Sequence, residues 1–523
     1  MIPTVKNKDS RKVVIIGGGI AGLCTAVYAL RCGYRAEVLE MHSLPGGLAT
    51  SWRRSGYTFE NCLHWLLGSN PKGQMHPQWA EVCDIDKLTF VNHEEFARLE
   101  TMDGKRLRIF TDIARLEAEM LSLAPQDSAE IRRFTSAVRG LTRFQLPDPI
   151  GGLANLGIYL DDLPFLPLLR RLSRCTCGEY GERFTHPLLR SFFTDGYIGK
   201  MSAIVLVLSL AWMSQGNAGY AIGGSQAIIR LIQHRLAMLG GNLRLGARVA
   251  KILVEDDTAF GVELEDGETI FADWVVSAAD GHSTLVDLLG ERYTDKSTEY
   301  AYRDLETFPS YLQVSLGVAR ELAGYPGFVT RLLDSPVYAD PATPLNQLSF
   351  RIFHFDPTFA PPGKTAVTCF LPTANFEYWV NLEQCDPGIY QAEKHRIAQA
   401  AIDVLAQIVP GIRQSIELID VSTPATVIRY TGNWKGSMEG WLLTPATGFR
   451  QLRNTLPGLD RFLMAGHWVM PGGGLPSGLL TARSAVHAIC RRDRVPFNPA
   501  RQPALDLAPG PSAHPTSAST AAR

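Results

Sequence analysis

Residues 12–22 read KVVIIGGGIAG, and this stretch predicts how the rest of the chain is arranged. A β-branched run that leads into the pattern G-x-G-x-x-G is typical of a strand, a tight turn and a helix that together cradle a dinucleotide. Gly17 permits the turn, Gly19 lets the backbone approach a pyrophosphate, and Gly22 lets the helix pack closely on the strand. The phosphate charge then meets the N-terminus of the helix.

The residues that follow the glycines support a dinucleotide site. A helix is predicted over residues 23–30, and a second strand over residues 36–39 leads to Glu40. Glu40 lies 23 residues beyond Gly17 (40 − 17), near the spacing of roughly 20 residues at which a carboxylate meets an adenosine ribose. The alternative is a signal peptide or membrane anchor, but three consecutive glycines, no small-residue cleavage site and a prompt second strand argue against it.

Length, composition and charge limit the classes of function. A chain of 523 residues exceeds one ordinary core, so two domains are expected. Lys plus Arg is 51 and Asp plus Glu is 52, a net charge of −1, which predicts no nucleic-acid partner. The nine cysteines are scattered without metal-ligand or redox-motif spacing, so we expect free thiols in a reducing compartment and no metal. No apolar run is long enough to span a bilayer, and a cytoplasmic location is expected.

A second pair of glycines, Gly46 and Gly47, comes just past the second predicted strand. The pair indicates another close approach of the backbone to the bound dinucleotide, and a plain turn is the alternative. Together with the first glycine motif, the pair favours FAD as the cofactor.

The order of these motifs resembles a known family. The glycine motif, Glu40, the glycine pair and Gly-Tyr-Thr-Phe-Glu at residues 56–60 are similar to the N-terminus of the FAD-dependent phytoene desaturase, carotenoid isomerase and retinol saturase family. That family often has Arg directly after the glycine pair, where this chain has Leu48. Arg53 or Arg54 are candidates to replace the missing contact with the cofactor.

Two later blocks return to the dinucleotide pattern. Residues 223–280 carry a glycine pair, a helix, strands and a hairpin turn, and the resemblance implies that the backbone of Val249 touches the adenine. Residues 462–478 read as a strand, a glycine loop and a helix N-terminus, a second anion-binding cradle suited to the flavin end of FAD. The resembling family has an acidic residue after the glycine that Gly466 matches, where this chain has His467.

The predicted fold class is α/β, with a discontinuous Rossmann-type FAD-binding domain and an inserted α+β substrate domain made of a β-sheet and a helical cap. The FAD-binding domain is expected to comprise residues 1–90, 220–290 and 455–495. The substrate and cap domain is expected over residues 91–219 and 291–454, and residues 496–523 read as a disordered tail. The residues expected to bind FAD are Gly17, Gly19, Ile20, Ala21, Gly22, Glu40, Gly46, Gly47, Leu48, Val249, Gly466, His467, Gly474 and Leu475.

Three polar residues outside the cradle are candidates for catalysis. His64 stands in an apolar, strand-like setting, where a satisfied core histidine is the alternative. Lys435 and Glu439 belong to a segment rich in glycine, tryptophan and charge, and such loops often line sites. The alternative for that segment is a surface turn, with the lysine and the glutamate paired to each other.

Two apolar segments, residues 163–171 and 204–213, are too short to span a bilayer. Apolar residues followed by arginines are able to lie in a membrane interface. A cap helix over an apolar substrate pocket has a similar composition, and we favour the cap. Contact with a membrane surface therefore stays an open alternative.

The resemblance implies an FAD-dependent oxidoreductase that acts on carbon–carbon bonds of a long apolar polyene or isoprenoid, such as a carotenoid. In this hypothesis the flavin carries the hydride chemistry, while the protein orients the substrate in a dry tunnel. The alternatives are a redox-neutral cis-trans isomerase that uses reduced FAD, a flavin amine oxidase, and a non-enzymatic binder of prenylated proteins. No second G-x-G-x-x-G follows a strand, so no separate nicotinamide domain is expected.

Overall fold

The computed structural model describes residues 11–194, 196–448 and 452–501. Within these ranges the strands in chain order are β1 (Lys12–Ile16), β2 (Arg35–Glu40), β3 (Ser51–Arg54), β4 (Tyr57–Glu60), β5 (Leu66–Leu67), β6 (Phe90–Val91), β7 (Glu95–Glu100), β8 (Arg106–Phe110), β9 (Ala218–Ala221), β10 (Asn242–Leu245), β11 (Val249–Glu255), β12 (Thr258–Leu264), β13 (Thr269–Phe271), β14 (Trp274–Ser277), β15 (Ser310–Val318), β16 (Phe328–Asp340), β17 (Thr343–Ile352), β18 (Thr365–Thr373), β19 (Ile416–Ser422) and β20 (Phe462–Met464).

The helices alternate with these strands along the chain. In chain order they are α1 (Ile20–Arg31), α2 (His76–Val82), α3 (Ile113–Leu123), α4 (Ser128–Leu141), α5 (Leu156–Asp162), α6 (Leu166–Ser173), α7 (Cys177–Gly181), α8 (Pro187–Thr194), α9 (Ala203–Ser214), α10 (Gly224–Met238), α11 (Gly281–Ser283), α12 (Lys296–Asp304), α13 (Phe376–Cys385), α14 (Pro387–Ile408), α15 (Pro424–Thr431) and α16 (Gly474–Asp493).

A parallel sheet of five strands, ordered β10-β2-β1-β14-β20, forms the centre of the dinucleotide-binding part. Its strands come from three distant parts of the chain, which is the discontinuous Rossmann arrangement that the glycine motifs predict. β1 is almost wholly buried because α1 and α16 cover one face of the parallel sheet and the three-stranded sheet β11-β12-β13 packs on the other, and its run of Val and Ile fits that environment. All twelve residues of α1 are buried between the sheet and its neighbours.

A second sheet carries the substrate domain. Its seven strands are ordered β19-β15-β18-β17-β16-β7-β8, and all neighbours are antiparallel except β16 and β7. Every residue of β15 is buried, because one face packs towards α14 and the other meets β4. A side chain at Gly317 would collide with the ring of Tyr57, so this glycine allows the two domains to approach closely. The predicted fold class is confirmed.

Helices α3 to α9 form a cap with its own apolar core. The predicted apolar segment 204–213 lies in α9 and is mainly buried in that core. The segment 163–171 behaves differently, since Leu163 and Leu166 are each more than half exposed. None of the helices in the described ranges has the length and apolar character needed to cross a membrane.

Two sequence expectations differ from the structure. His64 lies in the turn between β4 and β5 rather than in a strand, because the chain bends there before it pairs with β9. The tail predicted to begin at residue 496 is packed at its start: the Phe497 ring lies 6.2 Å from that of Tyr28, and the carbonyl of Arg501 accepts a hydrogen bond from Arg31. Residues 1–10 and 502–523 lie outside the described residues, and the domain boundaries stay predictions.

Candidate functional site

A cavity of about 420 Å³ opens where the strands of the parallel sheet end. The residues that follow β1, β2, β14 and β20 all contribute to its lining, as the crevice at the carboxyl edge of an open α/β sheet requires. Thirteen of the fourteen residues predicted to bind FAD line this one cavity: Gly17, Gly19, Ile20, Ala21, Glu40, Gly46, Gly47, Leu48, Val249, Gly466, His467, Gly474 and Leu475.

The first glycine loop needs its glycines for different reasons. Gly17 has φ +96°, a left-handed conformation, and a Cβ there would lie 3.0 Å from the carbonyl oxygen of Ala278. A Cβ at Gly19 would meet nothing closer than the carbonyl oxygen of Gly46 at 3.7 Å, so space for a ligand begins at this residue. Gly22 does not line the cavity. A Cβ at Gly22 would collide with the carbonyl oxygen of Gly17, so the glycine is needed for α1 to pack closely against the loop that follows β1.

Glu40 joins the loop after β1 to the loop after β2. One carboxylate oxygen accepts a hydrogen bond from the N–H of Gly18 at 2.6 Å, and the other accepts from the N–H of His42 at 2.8 Å. Burial raises the pKa of the Glu40 carboxyl, although these backbone donors oppose the shift. The carboxylate is thus held at the cavity wall before any ribose is bound.

The far end of the cavity is built from a second glycine loop. Gly466 has φ +113°, and Gly472, Gly473 and Gly474 also adopt positive φ values, so the chain turns sharply into α16. Neither α1 nor α16 has an acidic residue in its first turn. The N-terminal N–H groups of both helices therefore meet the cavity, an arrangement that fits a diphosphate. The described residues fit FAD on this ground.

Glu439 is the predicted catalytic residue that lines the cavity. Its side chain is half-buried at the cavity wall, and this burial raises its pKa to about 8, against the weaker effect of a hydrogen bond from the N–H of Gly474. Cys62 lies close enough to feel the charge of Glu439, and Met438 and Leu475 add apolar surface to the same lining. The glutamate is therefore a neutral acid at pH 7 in largely apolar surroundings.

The structure places His64 and Lys435 outside the lining of this cavity. His64 borders a second space of about 10 Å³, and burial together with the nearby Arg351 lowers its pKa well below the ordinary value. The ammonium of Lys435 lies 4.1 Å from the ring centre of Trp434, where it makes a cation–π contact. Within the described residues no ion pair joins Lys435 to Glu439, so the predicted alternative of a paired loop is wrong.

Sequence reasoning did not select Cys62, Asp280 and Asn433, which also line the cavity. Asp280 follows β14 at the carboxyl edge of the sheet. The apolar run of β14 in the sequence predicts a strand whose end lies at this edge, so this signal could have identified Asp280. Burial raises the pKa of Asp280 to about 6, against hydrogen bonds from the N–H groups of Ser283 and Trp434. Cys62 and Asn433 carry no local sequence signal, because distant segments bring them to the cavity.

No group of three or more His, Cys, Asp or Glu side chains is arranged to hold a metal ion anywhere in the part of the chain that the structure describes.

The parallel sheet, the two glycine loops and the buried acid define a flavin-dependent oxidoreductase. Residues 20–490 match the flavin containing amine oxidoreductase family, and the chain belongs to that family. Its cofactor is FAD.

The chain is also similar to curated relatives and, in its fold, to a solved structure. The chain is 24% identical to prolycopene isomerase 1, chloroplastic, from an Oncidium hybrid cultivar, over 83% of this chain and 76% of that protein. It is 27% identical to the neurosporene-forming phytoene desaturase of Rhodobacter capsulatus, over 89% of this chain and 91% of that protein. Its fold matches an oxidoreductase from Methanosarcina mazei with a TM-score of 0.60 at 17% identity, covering 91% of this chain and 100% of that one.

Proposed function

We propose that this FAD-dependent oxidoreductase introduces carbon–carbon double bonds into a long apolar polyene of the carotenoid class. The observation that carries the proposal is Glu439, whose pKa is raised to about 8, in a cavity whose lining is mainly apolar. A hydrocarbon substrate offers no charged group, so a site for it needs apolar walls and an acid–base residue whose pKa lies near the working pH. An amine substrate, in contrast, is a cation near pH 7, and Glu439 in its neutral form supplies no counter-charge.

The residues divide the work of the reaction. FAD, when bound, would supply the hydride acceptor, and the removal of two hydrogens from a C–C bond would leave one proton for the protein to take up. Glu439 in its ionised form takes that proton, while Met438 and Leu475 exclude water from the reacting carbons. We assign the positioning of FAD to the glycine loops and to the thirteen predicted FAD-binding residues that line the cavity.

The test is an anaerobic single-turnover assay with phytoene in detergent micelles and the FAD-loaded protein. We expect one flavin to be reduced for each double bond formed, measured by loss of the flavin absorbance and by the lengthened polyene spectrum. Formation of the product with no change in flavin oxidation state would rule the proposal out.

A second candidate is redox-neutral cis-trans isomerisation, favoured by the similarity to prolycopene isomerases. In this reaction Glu439 would donate its proton to the polyene and recover it, so the neutral form is the active one. Incubation of the protein, with its FAD reduced by dithionite, with prolycopene tests the candidate. Conversion to the all-trans isomer without net flavin oxidation is the expected result, and an unchanged isomer ratio would exclude it.

We also propose that the protein collects its substrate at a membrane surface. The apolar surface is formed by five side chains of one segment, each between 51% and 58% exposed: Leu156, Tyr159, Leu160, Leu163 and Leu166. Arg170 and Arg171 follow on the same segment and are exposed. Apolar side chains beside arginines suit the interface of an anionic bilayer.

Sedimentation with vesicles made of phosphatidylcholine and phosphatidylglycerol measures this contact. We expect the protein to co-sediment and the double variant Leu160→Glu, Leu166→Glu to remain in the supernatant. Leu169 is a poor test position because it packs against the core of the cap. Met238→Glu, which changes an equally exposed apolar residue on α10, is the matched control and should not alter binding. Equal binding of the double variant would contradict this contact.

A further inference from the structure

His467 is held in one tautomer by its neighbours. Its Nε2 lies 3.3 Å from Oδ1 of Asn433, and the indole N–H of Trp468 donates to the same oxygen at 3.1 Å. The amide nitrogen of Asn433 donates to the carbonyl of Ser437 at 2.7 Å. An indole nitrogen only donates and a carbonyl only accepts, so these two bonds determine which way the Asn433 amide faces.

This orientation determines where the proton of His467 resides. Since Oδ1 of Asn433 is an acceptor, Nε2 must carry the hydrogen, and Nδ1 of the neutral ring then has a free lone pair. Burial lowers the pKa of His467 to about 4, so the ring is neutral at pH 7. Within the described residues no other hydrogen bond reaches the ring, which lines the cavity.

Space for the ring is provided by Gly440. A Cβ at Gly440 would lie 2.8 Å from Cδ2 of His467 and 2.7 Å from its carbonyl oxygen. The histidine is thus enclosed by Gly440 on one side and fixed by Asn433 on another.

We infer that His467 uses Nδ1 to accept a hydrogen bond from a ribityl hydroxyl of bound FAD, and that Asn433 is the positioning residue that selects this tautomer. Between its two ring systems FAD carries ribityl hydroxyls and ribose hydroxyls, which donate or accept, and a diphosphate, whose ionised oxygens only accept; the ribose is the group expected at Glu40, beside the first glycine loop. A bare ring nitrogen therefore pairs with a hydroxyl and not with the diphosphate. The neutral ring also does this without the negative charge that a carboxylate at this position would bring towards the diphosphate.

The tautomer is observable by NMR without turnover. Full-length protein labelled with ¹⁵N-histidine gives long-range proton–nitrogen correlations, and the signals lost in His467→Asn identify the residue. We expect the Nε2–H tautomer at pH 7 both in the FAD-free protein and with FAD bound. An Nδ1–H tautomer or an imidazolium at pH 7 would overturn the inference.

Riboflavin has the ribityl chain of FAD but no phosphate. Comparing the binding of FAD with that of riboflavin therefore distinguishes a contact of His467 with the ribityl chain from a contact with the diphosphate. Fluorescence quenching with the FAD-free protein should show that His467→Leu weakens both ligands by the same factor, roughly 2- to 12-fold for one hydrogen bond. His467→Asn keeps an acceptor near the place of Nδ1 and should bind within about twofold of the natural protein. Weaker binding of FAD alone would indicate a phosphate contact and would disprove the inference, as would equal losses in the Leu and Asn variants.

Asn433→Leu tests the positioning role. We expect its His467 to populate both tautomers, and we expect FAD binding to weaken as in His467→Leu, with no further loss when both changes are combined. A single Nε2–H tautomer in Asn433→Leu would show that Asn433 does not select it. His395→Leu, an exposed histidine on α14, is the matched control for histidine loss and should leave binding unchanged.

Discussion

At the scale of single residues, the charge of an acid depends on its surroundings more than on its type. Glu439 and Glu40 both line the cavity, and burial raises the pKa of each. Glu40 accepts two short backbone hydrogen bonds, which stabilise its charged form, whereas Glu439 has one donor acting on its pKa among the described residues, the N–H of Gly474. Glu439 is therefore suited to exchange a proton and Glu40 to bind a hydroxyl.

The pH dependence of the rate should distinguish the two candidate reactions. The pKa of Glu439 is about 8, so its ionised fraction rises from small to nearly complete between about pH 7 and pH 9. Desaturation needs the ionised form and should accelerate over this range, while isomerisation needs the neutral form and should slow. The measurement is the initial rate on phytoene and on prolycopene across this pH range with FAD saturating. It shows whether each rate rises or falls with pH.

Glu439→Gln should lower the rate by roughly 10²- to 10⁴-fold and remove that pH dependence, because the amide neither takes nor gives a proton. The flavin content should stay unchanged. Glu182→Gln, at an exposed glutamate of the cap, serves as the control. A Glu439→Gln protein that keeps more than a tenth of the natural rate would exclude an acid–base role.

His64→Ala and Lys435→Ala should keep most of the activity, since neither lines the cavity.

Gly19→Val should abolish FAD binding without unfolding the chain. A Cβ at Gly19 meets no atom closer than 3.7 Å in the protein, so the branched side chain extends into the space reserved for the cofactor. The flavin absorbance of the purified variant and its circular dichroism measure the two effects. Gly324→Val, at an exposed glycine with open space around it, is the control. A yellow Gly19→Val protein would place the pyrophosphate elsewhere.

At the scale of elements, the cap is tied to the dinucleotide-binding part by a partly buried ion-pair cluster. Arg483 on α16 lies 2.7 Å from Glu81 on α2 and 2.7 Å from Asp148, in the chain between α4 and α5. The hydroxyl of Tyr28 also donates to Glu81 at 2.8 Å. One guanidinium therefore connects three segments that are far apart in sequence.

Arg483→Met should destabilise the protein by about 3 kcal/mol, because two carboxylates lose their partner in a poorly hydrated place. The measurement is the apparent melting temperature, which should fall by several degrees. Arg492→Met, whose ion pair with Asp460 is exposed, is the matched control and should change it little. Equal effects of the two variants would mean that the Arg483 cluster does not hold the cap.

At the scale of the whole molecule, the end of the described chain packs against helices α1 and α16 of the dinucleotide-binding part. Phe497 packs on Tyr28 and on His487, and the guanidinium of Arg483 lies 5.4 Å from the Phe497 ring centre. The chain therefore contributes to the core beyond the residue where its composition predicts a tail.

Deletion of residues 502–523 should leave flavin content and melting temperature nearly unchanged, since this segment is rich in Pro, Ala and Ser and poor in large apolar residues. Deletion of residues 496–523 should lower the melting temperature, because it also removes Phe497 from its contacts. The measurement is the melting temperature of the two truncated proteins, compared with that of the full chain. A loss of stability that is the same for both would place the contribution beyond residue 501.

The sequence by itself determined the α/β class, the cofactor and the glycine loops that line the cavity. These depend on local requirements: a glycine where φ is positive, as at Gly17 and Gly466, and β-branched runs that must be buried in a parallel sheet. The order of these signals along the chain was enough to predict that separated segments rejoin one sheet.

Only the tertiary structure decided which polar residues meet the cavity and in what state. Glu439 is neutral because distant segments remove water from it, and His467 is held in one tautomer by Asn433, which lies 34 residues away in sequence. His64 and Lys435 looked equivalent to Glu439 in the sequence, yet the packing directs them elsewhere. Desolvation and hydrogen-bond direction arise from contacts between distant parts of the chain, and no local pattern encodes them.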